Sequence, residues 1–119
     1  MKGQVELGRF LIDRGADVNV RDKWSRAPLH LAAAKGEVAI ARLLIDHEAN
    51  LHASDGNSRT PLHIASHNGH LGVVKLLLSR GADVNMLDKA NKTATELTSE
   101  NGKAESARVI AEYKADSNI

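Results

Sequence analysis

Apolar residues in the middle of the chain fall at the spacing of an α-helix: Leu71, Val74, Leu77 and Leu78 share one face of the stretch 71–79. Just upstream, Thr60 and Pro61 make a helix start. The Thr60 hydroxyl can accept an orphan N–H, and proline fits the first turn, where no N–H is required. The pattern predicts a short helix over 61–68, a turn at Gly69, a second helix over 71–79, and Gly81 as its left-handed C-terminal cap. Polar turn residues, as in the run 53–58, then lead from one such unit to the next.

The unit recurs. Thr60-Pro61-Leu62-His63-Ile64-Ala65 stands 33 residues after Ala27-Pro28-Leu29-His30-Leu31-Ala32 and 33 before a decayed copy, Thr93-Ala94-Thr95-Glu96-Leu97-Thr98. Glycine follows the same register at Gly3, Gly36, Gly69 and Gly102. So do the apolar pairs Phe10-Leu11, Leu43-Leu44, Leu76-Leu77 and Val109-Ile110. Units of this size cannot bury an apolar face alone, so the period implies a stack in which each covers its neighbour. With only 3% aromatic residues, the core of that stack has to be aliphatic side chains and alanine.

In its period and its Thr-Pro-Leu-His-x-Ala signature the chain resembles the ankyrin repeat. The resemblance implies an all-α ankyrin-repeat solenoid of helix-turn-helix units joined by β-hairpin-like loops. It divides a single domain, 1–119, into a partial repeat with a second helix only (1–20), repeats at 21–53 and 54–86, and a C-terminal capping repeat at 87–119. Ala27 stands where the capping threonine belongs, which is expected to cost about 1 kcal/mol of helix capping. Glu48 and Lys114 stand where Gly81 does, and a left-handed backbone there would be strained. Thr93 and Glu96 read as a capping box, and polar residues such as Glu105 and Ser106 suit a terminal cap.

Catalytic and metal chemistry find little footing. His63, His67 and His70 have a spacing that can bind zinc, but Ile64 stands where a zinc-protease helix places glutamate, and His63 belongs to the repeat signature. The Ser, His and Asp residues lie in repeat positions, and Gly69 and Gly72 do not make a phosphate loop. The expectation is a non-enzyme with no cofactor and no metal. The chain has no cysteine, so it has no disulfide framework or thiol nucleophile. Its apolar runs are too short to cross a membrane, and its start does not lead into a signal-peptide core, so a cytoplasmic or nuclear setting is expected. The acceptor triplet Asn91-Lys92-Thr93 is then expected to stay unglycosylated. The ankyrin resemblance also implies asparaginyl hydroxylation as a candidate modification at Asn19, with Leu11 eight residues before it, and at Asn85, with Leu77.

The resemblance further implies that a protein partner binds on the concave face formed by hairpin tips and first helices. Carried onto this chain, that face holds Arg21, Lys23, Trp24, Arg26, Lys35, Asn57, Arg59, His67, Asn68, Lys89 and Lys92. Trp24 is the only tryptophan, and at a hairpin tip it is either an anchor or a lid packed on the next hairpin. The cations make a basic stripe on a chain of net charge +1, which suits an acidic protein or peptide and disfavours a nucleic-acid-coating role. Asp22, Asp55 and Asp88 are expected to bond to turn backbone. Two further expectations are self-association through an exposed N-terminal half repeat and, as the alternative reading of function, an engineered or consensus-like scaffold with no selected partner.

Overall fold

The computed structural model describes residues 17–100 and 104–117. The expected helix over 3–14, with its apolar residues Leu7, Phe10 and Leu11, and the Gly102 turn lie outside them. The described residues form helices and turns, with no strand among them. Six helices run in three pairs: α1 (Pro28–Lys35) with α2 (Val38–Asp46), α3 (Pro61–Asn68) with α4 (Leu71–Ser79), and α5 (Ala94–Glu100) with α6 (Ala104–Ser117). Both helices of the middle pair have the bounds expected from Thr60-Pro61, Gly69 and Gly81.

First helices pack side by side, α1 on α3 and α3 on α5, and second helices do the same, α2 on α4 and α4 on α6. The core is the strip between these two layers. Leu29, Ala32, Ala33, Leu62, Ala65, Val73, Val74, Leu77, Leu78 and Ile110 are buried in it. Small residues set the spacing: a Cβ on Gly72 would come within 2.8 Å of Val38 Cγ2, so α4 and α2 approach closely because glycine is there. The middle pair is flanked on both sides, which explains why α4 buries Val73 and Leu76 as well as Val74, Leu77 and Leu78 of the stripe read from the sequence; Leu71, at the start of the helix, is only half-buried.

Each connection ends in the same tight hairpin tip. The N–H of Asp22 donates to the carbonyl of Arg26, that of Asp55 to Arg59, and that of Asp88 to Lys92, each at 3.0 Å. Closing the loop this way needs one left-handed residue, supplied by Ser25, Ser58 and Asn91. Neighbouring tips are also joined, because Gly56 N–H donates to the Trp24 carbonyl and Lys89 N–H to the Asn57 carbonyl, both at 3.0 Å. These are the β-hairpin-like loops expected from the sequence.

The second helices end less uniformly than the sequence suggests. α4 closes with the N–H of Gly81 on Leu78 and that of Ala82 on Leu77, with Gly81 at φ +93°. α2 closes identically, Glu48 N–H on Ile45 and Ala49 N–H on Leu44, but its left-handed residue is Glu48 at φ +71°. The strain expected there is present, and Glu48→Gly is expected to raise stability by about 1 kcal/mol, read as an upward shift of the urea midpoint. The same expectation for Lys114 is corrected: Lys114 lies inside α6, which continues to Ser117. With Lys114 followed by Ala115 and no glycine to turn the chain, the helix propagates instead of capping.

Candidate functional site

The hairpin tips are held rigid by their aspartates. Asp22 Oδ1 accepts the N–H groups of Trp24 and Arg26, both at 2.9 Å. Asp55 Oδ1 accepts those of Asn57 and Arg59 at 2.8 and 2.9 Å. Asp88 Oδ1 accepts those of Ala90 and Lys92 at 2.8 and 2.9 Å. The aspartates thus serve the turn backbone, as expected. In two tips the other carboxylate oxygen takes the guanidinium Nε–H, Arg26 to Asp22 at 2.8 Å and Arg59 to Asp55 at 3.1 Å. Desolvation alone would raise the pKa of Asp55, but the N–H groups of Arg59 and Asn57 and the nearby Arg59 charge outweigh it and hold the carboxyl below its ordinary range.

These bonds divide the expected basic stripe into working parts. Arg21 Nη1 donates to the carbonyls of Ser25 and Ser54 at 2.8 and 2.5 Å, so it clamps the first hairpin to the start of the second. Arg26 and Arg59 are half used by their aspartates, which keep their guanidinium planes in place. Lys23, Lys35 and Lys89 are exposed, as are Asn57, His67 and Asn68, while Lys92 is half-buried. Trp24 is 56% exposed, so its ring is not a lid buried on the next hairpin. Its ring is bracketed by cations of its own tip, with Lys23 Nζ 4.4 Å and the Arg26 guanidinium carbon 4.7 Å from the ring centroid. Between the first two tips lies a depression of about 520 Å³, lined by Lys23, Trp24, Ser25 and Arg26 on one side and Asp55, Gly56, Asn57 and Arg59 on the other.

Behind the tips, the signature histidines tie each repeat to the next. His30 Nδ1 accepts the Ala27 N–H at 3.0 Å, and its Nε2–H donates to the Arg59 carbonyl at 2.8 Å. His63 repeats this, with Thr60 on Nδ1 and the Lys92 carbonyl on Nε2 at 2.9 Å. Both ring nitrogens of His63 are therefore spoken for, which leaves none for a metal. Among the described residues no group of three His, Asp or Glu side chains is placed to hold one. At the same position in the last pair, Glu96 accepts from the N–H and hydroxyl of Thr93 at 3.2 Å, closing the expected capping box. A carboxylate has no N–H to pass forward, so the histidine ladder stops there. Ala27 offers no side-chain acceptor, so α1 keeps only the His30 half of its cap.

Burial holds the His30 imidazole below its ordinary pKa, against smaller opposing effects of the Arg59 carbonyl and the Asp55 charge. Its folded-state pKa thus lies below the unfolded value of about 6.5. Above that value neither state binds the proton; below it only the unfolded state does, so folding stability falls as pH drops from neutrality. The urea midpoint is expected to be lower at pH 5.5 than at 7.5, by less in a His30→Gln variant.

A second ladder, not anticipated from the sequence, also joins neighbouring repeats. Asn19 Oδ1 accepts the Asn50 N–H at 2.8 Å, and 33 residues on His52 Nε2 accepts the Asp83 N–H at 3.0 Å. Asn19 and Asn85, the two candidate modification positions, are exposed, and the Asn19 amide already serves this inter-repeat bond. The signal was present as one repeat position occupied by Asn19, His52 and Asn85, all of which can accept an N–H.

Comparison with curated proteins finds no match. The family model for ankyrin repeats, in three copies, matches residues 1–88 and 52–119, which together span the whole chain. Proteins built from these repeats are generally protein–protein interaction modules. The unbroken register, the paired helices, the joined hairpin tips and this match agree, and the chain belongs to the ankyrin-repeat family.

Proposed function

We propose that the chain is a non-enzymatic binding module whose hairpin-tip and first-helix edge docks an acidic protein or peptide. The observation that supports this best is the exposed Trp24 set among cations on a rigid edge: a large aromatic surface left in water, next to charges fixed by the turn aspartates. Lys23, Lys35, Lys89 and Lys92 extend the positive edge along all three described units and would speed association with a negative partner. A cytoplasmic or nuclear setting belongs to this reading, as do hydroxylation of Asn19 or Asn85 and contact between copies at the N-terminal end.

The test is capture of partners by the immobilised chain and by two single variants, Trp24→Ala and Lys89→Glu. Each is expected to weaken retention of the specific partner by roughly tenfold, with the Lys89→Glu loss shrinking at high salt. Arg59→Glu is a poor choice, because Arg59 pairs with an Asp55 side chain only 2% exposed and its loss would disturb the fold. Equal retention by both variants and the parent would favour the scaffold reading, with no partner selected for this edge.

A further inference from the structure

Resting on the reading of this edge as a partner surface, we infer that the depression between the first two hairpin tips is a phosphate pocket for a phosphorylated serine or threonine of the partner. Its lining holds three cations, Lys23, Arg26 and Arg59, against one carboxylate, Asp55. That carboxylate is already saturated. Its Oδ1 takes two backbone N–H groups and its Oδ2 takes Arg59 Nε–H, and the side chain is nearly out of contact with solvent. Arg26 is paired in the same way with Asp22, just outside the lining, so these three cations and two carboxylates leave an excess of one positive charge, that of Lys23. A phosphate monoester also offers three acceptor oxygens to the three cationic donor groups Lys23, Arg26 and Arg59, whereas a carboxylate offers two.

The donors are also set in place before any ligand arrives. Both arginines use only Nε for their aspartates, Arg26 for Asp22 and Arg59 for Asp55, which leaves the terminal nitrogens of each fork for an anion. Lys23 and Arg26 rest by the Trp24 ring, a contact that fixes a cation without consuming its N–H groups. Gly56 puts no side chain on the wall between the tips, where the other two tips carry Lys23 and Lys89. The bond from Gly56 N–H to the Trp24 carbonyl holds the two walls at a fixed separation.

Trp24 is the chain's only tryptophan, so its fluorescence reports this pocket and nothing else. The whole chain would be titrated with a short peptide carrying one phosphoserine, with the same peptide carrying serine, and with its glutamate version. The phosphopeptide is expected to give a saturable emission change at least about tenfold tighter than the glutamate peptide, and the serine peptide none. Lys23→Glu is expected to lose at least about tenfold of that affinity while its urea midpoint stays put. Lys23→Ala, which adds no negative charge, is expected to lose a smaller share. No saturable response, glutamate binding as tightly as phosphoserine, or undiminished binding by both Lys23 variants would overturn the assignment. Any of these would leave the partner surface itself standing, since that is judged by capture with Lys89→Glu on the third tip.

Discussion

Gly36→Ala is expected to cost about 3 kcal/mol of folding stability, lowering the melting temperature by roughly 12 °C. Gly36 closes α1 with a left-handed backbone, φ +72°, which an L side chain adopts at a cost of about 1–2 kcal/mol. Space is the second problem. A Cβ there would lie 2.7 Å from Nδ1 and 2.8 Å from Cγ of the His70 ring. That ring starts the second helix of the following repeat, and its Nε2 bonds the Ala34 carbonyl at 3.0 Å. The imidazole has to move, and its bond back to α1 goes with it. Urea unfolding measures the loss. Gly81→Ala serves as the comparison, since Gly81 has a positive φ but nothing near its missing Cβ. Gly36→Ala is expected to cost more than Gly81→Ala by about the worth of the displaced His70 contact, roughly 1 kcal/mol.

His63→Ala is expected to cost a similar amount, about 2–4 kcal/mol, and in a distinctive way. His63 is 1% exposed, so truncation leaves a cavity lined by polar groups. Thr60 loses the ring nitrogen that accepts its N–H, and the Lys92 carbonyl loses the His63 N–H that it shares with the Asp88 N–H. The damage should therefore appear at two places 29 residues apart, the start of α3 and the third hairpin tip. Hydrogen exchange would show this: the amides of Asp88 and Asn91, which close that tip, are expected to exchange faster relative to those of the second tip. Uniformly faster exchange would mean that the ladder carries no specific coupling between repeats.

Much of the fold was legible because the repeat is punctuated by residues with few conformational options. Pro61 and Thr60 admit one kind of helix start, and Gly69 and Gly81 one kind of ending, so the bounds of α3 and α4 could be read directly. Where the punctuation fails the reading failed too: Lys114 sits in an alanine-flanked run that simply continues as helix. The binding edge was legible as a set of positions but not as an electrostatic surface. A cation in a sequence carries no mark of whether a carbonyl or carboxylate will claim it. Arg21 became a clamp on two carbonyls, while Arg26 and Arg59 became supports for their tips. A signal for the last two was available in the repeated Asp-x-x-x-Arg spacing of 22–26 and 55–59. The depression beside Trp24 had no such signal, because it arises from two residues 32 positions apart, an aromatic ring on one tip and a glycine on the next.

The binding face is tested most directly by the amide NMR spectrum of the chain as a captured partner is added. The largest shifts are predicted within 21–26, 54–59 and 87–92 and at the exposed ends of α1 and α3, with little change in α6. Shifts centred instead on the groove between α4 and α6, around Lys75, Val109 and Tyr113, would contradict it.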